Sequence, residues 1–208
     1  MFTLYLSPGA CSRASHIALA ESGLPYVLKR LHFSEQEQRS DAFLKVNPKG
    51  RVPALESESG VLTETVAILP YIAALATKAG VSLAPADPFE FARMQAFNAY
   101  IASTVHVAHA HGRRAARWAS EPSSHADMLA KVPANMRDCF RLIEQDFLAG
   151  PYVMGEQYTV ADPYLFVMSG WLESDKVDIA EFPRIAAHFA RVGARPAVRR
   201  ALEEEAVL

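Results

Sequence analysis

Phe2-Thr3-Leu4-Tyr5-Leu6, then Ser7-Pro8-Gly9, then the run from Cys11 to Ser22 closed by Gly23 and Pro25, decide the class of this chain. They form a short β-rich segment, a turn and a helix with its stop signal. Tyr26 to Phe33 predicts a second strand, so the chain opens β-α-β. A short helix follows at Asp41 to Val46, a turn at Asn47-Pro48-Lys49-Gly50, strands at Val52 to Glu56 and Val61 to Thr63 joined near Gly60, and a helix from Thr65 to Lys78. That order suits one mixed sheet with helices packed over it.

Beyond Gly80 to Asp87, an aperiodic Gly-, Ser- and Pro-containing stretch, the hydrophobic period is helical almost throughout. The expected division is therefore a unit over 1–79, a linker over 80–87 and an all-helical unit over 88–208. Asp87, Pro88 and Glu90 mark a helix start. Phe97, Tyr100, Ile101, Val105 and Ala108 then share a face to about Trp118. A second long helix, Ala126 to Leu148, carries Leu129, Val132, Met136, Phe140, Ile143 and Phe147 on one stripe, and it is expected to pack antiparallel to the first. Thr159-Val160-Ala161-Asp162 is a capping-box pattern opening the most apolar helix, expected to be central. Short helices follow at Pro183 to Arg191 and Pro196 to Glu204. The acidic run Glu203 to Glu205 is expected to be a solvated helix end.

Composition excludes several functions. With 50% hydrophobic and 21% charged residues in 208, the chain can bury a sizeable core. Its 21 Lys and Arg against 23 Asp and Glu, with no basic run, offer no phosphate-neutralising stripe, so nucleic acid is not an expected partner. The longest apolar stretch, Val66 to Ala76, contains Pro70 and is too short to span a membrane. Pro8 and Gly9 interrupt anything resembling a secretion signal, which suggests a cytoplasmic protein. Two cysteines in a chain of this size indicate free thiols rather than a disulfide framework.

Cys11 stands at the first turn of the first helix, where unpaired N–H groups and the helix dipole favour an anion. A thiol of pKa ~8.5 is only ~3% ionised at pH 7; lowering it by two units raises that to ~75%. The same position could hold another molecule's thiolate, or Cys11 could be a small core residue like most free cysteines. Cys139 has no such setting and is expected to fill space. Ser12, Arg13 and Ala14 follow Cys11, so no Cys-x-x-Cys pair supports a two-thiol redox cycle. His106, His109 and His111 invite a metal reading, but His111 points away from His106 on a helix and no metal is expected.

Ser7-Pro8-Gly9-Ala10-Cys11-Ser12, Asn47-Pro48-Lys49-Gly50-Arg51-Val52-Pro53, Thr63-Glu64-Thr65-Val66-Ala67-Ile68 and Thr159-Val160-Ala161-Asp162 together resemble the cytosolic glutathione transferases, in particular the bacterial beta class. The resemblance covers essentially the whole chain. It implies a thioredoxin-like α/β N-terminal domain, an all-α C-terminal domain and a homodimer. It also implies glutathione as co-substrate with no other cofactor. By the same resemblance Cys11 lies beside the glutathione sulfur, the Val52 backbone pairs with the cysteinyl unit, and Pro53 is a cis-proline that turns this backbone outward. Glu64 and Thr65 hold the γ-glutamyl end, a carboxylate facing its ammonium and a hydroxyl at a helix N-terminus facing its carboxylate. By the same resemblance His106 approaches the cysteine from the second domain and shares the catalytic role with it, and Ser103, one turn before it, belongs to the glutathione-binding set.

Two departures stand out. Where relatives tend to carry a lysine for the glycyl carboxylate, this chain has Ser34-Glu35-Gln36, so either glutathione is expected to bind more weakly or another base such as Lys49 or Arg51 substitutes. Pro70 lies inside the helix from Thr65 and is expected to remove the bond to Val66 and to bend the helix or delay its start. The implied activity is attack of the glutathione thiolate on a small electrophile. The helix from His106 to Arg114, including Arg113, is expected to line the electrophile's site. Thiol transfer through a Cys11 mixed disulfide, and a non-catalytic glutathione-binding protein, are the alternatives.

Overall fold

The computed structural model describes residues 1–208. Strands β1 (Phe2–Leu6), β2 (Tyr26–Arg30), β3 (Ala54–Ser57) and β4 (Gly60–Thr63) form one sheet in the order β2-β1-β3-β4. β1 runs parallel to β2 and antiparallel to β3, with Leu4 opposite both Leu28 and Leu55. The period of two in β1 sorts its side chains. Leu4 and Leu6 enter the main core, while Tyr5 joins Leu31, Phe43, Val52 and Ala54 in a smaller cluster on the other face. Helices α1 (Ser12–Ser22) and α3 (Thr65–Lys78) pack together on the Leu4 side, and α2 (Asp41–Val46) brings Phe43 to the Tyr5 side, ring centroids 5.6 Å apart. This is the thioredoxin-like arrangement that the resemblance implies.

The rest is helical: α4 (Pro88–Tyr100), α5 (His106–Arg114), α6 (Pro122–Leu142), α7 (Ala161–Ser169), α8 (Pro183–Gly193) and α9 (Pro196–Ala206). Asp87 caps α4, its carboxylate accepting from the N–H groups of Phe89 and Glu90 at 2.9 Å. α7 is central, with all nine residues buried. Its opening box closes on Asp162, which accepts from the Thr159 and Val153 N–H groups and faces His188 at 3.0 Å. α1 bridges the two parts, packing against α7 and α9 as well as α3.

Several expectations need correction. β2 ends at Arg30, and Phe33–Glu35 is a 3-10 turn rather than strand. β3 begins at Ala54, after Pro53, which has no N–H to donate to a ladder. The long helix after Asp87 runs unbroken from Pro88 to Arg114 and on as a 3-10 turn to Arg117, but not as α-helix throughout. A π-helical turn spans Ile101–Val105, the His106 N–H reaching the Ile101 carbonyl, and the α-helix stops at Arg114. α6 begins at Pro122, four residues early, and Leu129 is 54% exposed, off the buried stripe of Val132, Met136, Phe140 and Ile143. α3 starts without delay at Thr65. Its Val66 carbonyl, deprived of a partner by Pro70, accepts instead from Gln95 Nε2 of α4 at 3.2 Å.

Of the run Glu203 to Glu205 only Glu203 is the solvated residue expected. Glu205 is 3% exposed. It accepts from the Gly9 N–H at 3.0 Å and from Arg13 Nε at 2.8 Å, and it faces His16 Nδ1 at 3.2 Å. Glu204 meets His16 Nε2 and the Tyr26 hydroxyl, each at 2.7 Å. A charge run on a short terminal helix signals solvent only when nothing docks over it.

Candidate functional site

The site is assembled by the loop between β1 and α1. Ser7-Pro8-Gly9 turns the chain with Gly9 at φ +74°, a left-handed conformation that disfavours other residues. Both backbone groups of Gly9 are held by the helical part, the N–H by Glu205 and the carbonyl by Trp171 Nε1 at 3.0 Å. Cys11 follows as N-cap of α1. Its half-buried thiol donates to the Val52 carbonyl across 3.5 Å.

That thiol is not the thiolate that the helix N-terminus suggests. Burial pushes it up to about 11, against the Thr65 hydroxyl and the α1 N–H groups, which favour the anion, while the Glu64 carboxylate opposes it. At neutral pH Cys11 is a hydrogen-bond donor. Dipole stabilisation at a helix terminus is a modest effect and here loses to desolvation.

The Val52–Pro53 peptide is cis, and Val52 is buried beside Cys11. Thr65 opens α3 and is buried. Glu64 precedes it at φ +72°, with its carboxylate exposed. Lys49 Nζ lies 2.5 Å from the Glu64 carboxylate and 2.7 Å from the Thr63 hydroxyl, so it is engaged there, whereas Arg51 lines the adjoining cleft unpaired. Beneath Cys11 and Thr65 lies Tyr164 of α7, fully buried, its phenol held protonated chiefly by burial. Sequence reasoning missed Tyr164, whose only signal was its place just after the Asp162 box.

A cleft of about 820 Å³ adjoins the loop, lined by Pro8 to Cys11 and Val52 on one side and by His106, Arg113 and Trp171 on the other. His106 sits edge-on to Trp171 at 5.1 Å. Burial pushes its imidazole down to about 4, with His109, Arg117, Arg51 and Arg114 adding to the effect, so it is neutral at physiological pH. His109 stacks on Trp171 at 4.2 Å and meets both oxygens of Asp175 at 2.8 Å. His111 turns to Trp118 instead. No three His, Cys, Asp or Glu side chains converge as metal ligands. Ser103 is not brought to the cleft; it is exposed, its hydroxyl 3.4 Å from that of Thr104. The Trp171, His109–Asp175 and Glu205 supports were invisible beforehand, since each joins residues far apart in the chain.

No helix is long and apolar enough to cross a membrane. Residues 1–74 match the glutathione S-transferase N-terminal domain. The chain is 31% identical over 204 residues to glutathione S-transferase GstA of Escherichia coli O157:H7, covering 97% of this chain and 98% of that one. A glutathione transferase homologue from Sulfitobacter, solved with bound glutathione, superposes with a TM-score of 0.94 at 48% identity, covering 100% and 99% of the two chains. The bacterial beta-class glutathione S-transferase of Sphingomonas chungbukensis gives 0.85 at 33%, covering 99% and 100%. Similarity of this extent along the whole of both chains, in sequence and in fold, shows that the chain belongs to the glutathione S-transferase family and is a glutathione transferase.

Proposed function

We propose that this chain is a beta-class glutathione transferase that conjugates the glutathione thiolate to small electrophiles. Residues 1–79 form the glutathione-binding domain, 80–87 the linker and 88–208 the domain that lines the electrophile site. The observation that carries this reading is the Cys11 thiol, protonated and aimed at the Val52 carbonyl. When the Val52 backbone pairs with the cysteinyl unit of glutathione, that donor is free to turn to the incoming sulfur and stabilise it as a thiolate. Val52 and Pro53 then hold the middle of the tripeptide. The Thr65 hydroxyl and the α3 N-terminus take the γ-glutamyl carboxylate, and Glu64 its ammonium, in exchange for Lys49. His106, neutral and facing the cleft, assists as a polar wall or proton acceptor. Ser103, exposed and off the cleft, would reach glutathione only from across a homodimer interface.

Glutathione is the co-substrate and no other cofactor is needed. The high thiol pKa speaks against the disulfide-exchange alternative, because the thiolate is the exchanging nucleophile. Two free thiols suit the reducing cytoplasm. The test is retention on immobilised glutathione with elution by free glutathione, followed by turnover of a chloronitrobenzene and of a small mixed disulfide. Retention with turnover of the aryl chloride is expected; failure to bind removes every glutathione-dependent reading.

A further inference from the structure

The cleft beside Cys11 holds an unbalanced charge. Arg39 and Arg51 line it from the sheet domain and Arg113, Arg114 and Arg117 from the end of α5 and the turn after it, while its lining contains no aspartate or glutamate. All five are exposed, and none of their side chains pairs with a carboxylate or donates a hydrogen bond; elsewhere Arg13, Arg93, Arg137, Arg141, Arg195 and Arg200 are paired, while Arg30, Arg184, Arg191 and Arg199 lack a carboxylate partner but lie outside this cleft. This gathering occurs in a chain of net charge -2, so it is local rather than a consequence of overall basicity. The guanidinium groups feel one another across the cleft: burial lowers the Arg117 pKa first, and Arg51, Arg114 and Arg39 lower it further. Like charges gathered without counter-charges cost stability, and a concave site concentrates their field on whatever enters.

Glutathione does not account for all of them. Its γ-glutamyl carboxylate is assigned above to Thr65 and the α3 N-terminus, and its glycyl carboxylate needs one cation, for which Arg51 or Arg39 on the sheet side is available. Arg114 lies over the Phe33 ring at 5.6 Å. Arg113 and Arg117 are left on the helical wall, with Trp118 and Trp171 close by in the same lining.

We propose that the electrophilic substrate is a carboxylate-bearing anion with a flat, unsaturated body, its carboxylate held by Arg113 and Arg117 and its reactive carbon turned to the glutathione sulfur above Cys11. This deepens the conjugation reading and rests on it for the chemical step. A guanidinium offers two parallel N–H donors to a carboxylate, and the aromatic walls suit a planar partner. In the step itself the glutathione sulfur forms a C–S bond at the carbon bearing a halide. The halide leaves with the electron pair of its bond, and the thiol proton passes to solvent.

The probe pair is 4-chloro-3,5-dinitrobenzoate and 4-chloro-3,5-dinitrobenzamide, each enzymatic rate divided by its rate with glutathione alone so that ring electronics cancel. At low salt the anion should show a normalised kcat/KM at least about tenfold higher than the amide. That ratio should fall to about two or less in R113Q/R117Q, be largely kept in R113K/R117K, and shrink with added salt. A second arm needs no turnover. The chain has two tryptophans and both line the cleft, so quenching of their fluorescence by 3,5-dinitrobenzoate against 3,5-dinitrobenzamide, with and without S-methylglutathione, reads occupancy directly. Anion-selective quenching lost in R113Q/R117Q, with neither aryl chloride turned over, would keep the anion site and sink the conjugation reading. Equal quenching and equal turnover of anion and amide, or a preference that survives in R113Q/R117Q while thermal melting shows the variant folded, would overturn the proposal.

Discussion

Cys11 shows how position and environment compete at a single residue. Its place at a helix N-terminus, legible in the sequence, argues for an anion; the neighbours that bury it, not legible there, push the thiol to about 11. Alkylation of Cys11 by iodoacetamide should therefore keep accelerating as pH rises towards 11, and a rate that levels off near 8.5 would contradict the assignment. In Cys11→Ala, conjugation should fall by less than about tenfold, since α1 N–H groups still face the bound sulfur, while any disulfide reduction should fall more than ~100-fold. Equal losses in a folded variant would overturn that division of roles. His106 gives the matching case for a base. Its ordinary value of 6.5 drops to about 4 on folding, so between those values the unfolded chain binds a proton that the folded chain refuses. Stability should fall as pH drops from about 6.5 to about 4, by at most about 1.4 kcal/mol per pH unit from this group. Urea titrations of His106→Gln should show a flatter slope over that window.

At the scale of elements, the sequence marks where helices begin, and packing decides how they are repaired and joined. Pro70 deletes the bond to the Val66 carbonyl, as its chemistry requires, yet α3 persists because Gln95 of α4 supplies the missing donor. Gln95→Ala should cost about 1–2 kcal/mol by leaving that carbonyl unpaired. In Pro70→Ala the restored N–H takes over, so Gln95→Ala should there cost about 1 kcal/mol less, the remainder being the buried Asn98 amide that loses its Gln95 acceptor in either background; a double-mutant cycle on unfolding free energies checks this coupling. α9 is the second case. Burial pushes the Glu205 carboxyl up, but the His16 hydrogen bond, the Arg13 charge and bond and the Gly9 N–H outweigh it and hold it below its ordinary value. A depressed carboxylate stabilises above its unfolded pKa and loses that contribution as pH falls through the folded one. Glu205→Gln should destabilise by about 2–4 kcal/mol at neutral pH and lessen acid sensitivity below about 4.5, measured by thermal melts across pH. A loss under half a kcal/mol would mean that α9 does not brace the Cys11 loop.

For the whole molecule, the dimer implied by family likeness is a direct expectation: sedimentation should give twice the 22.8 kDa of one chain, and a single-chain mass at micromolar protein would count against it. The sequence alone determined the βαβ opening, the helical remainder and most element starts, because strand and helix periods, Pro and Gly stops and Asp or Thr caps act over a few residues. Through the family resemblance it also named Cys11, Val52, Pro53, Glu64 and Thr65, which sit in short motifs, and His106 and Ser103, which do not; Ser103 is exposed and off the cleft. It misjudged Leu129, where a face is set by what lies opposite rather than by spacing, and it did not show the π turn after Tyr100, across which Ile101, Val105 and Ala108 are nonetheless buried as expected. Only the tertiary structure decided that Glu205 grips the Gly9 turn, that Gln95 serves Val66, that Lys49 sits on Glu64 and that five arginines share one cleft. Each of these joins residues distant in the chain, and both burial and Coulomb interaction depend on separation in space, which no local pattern encodes.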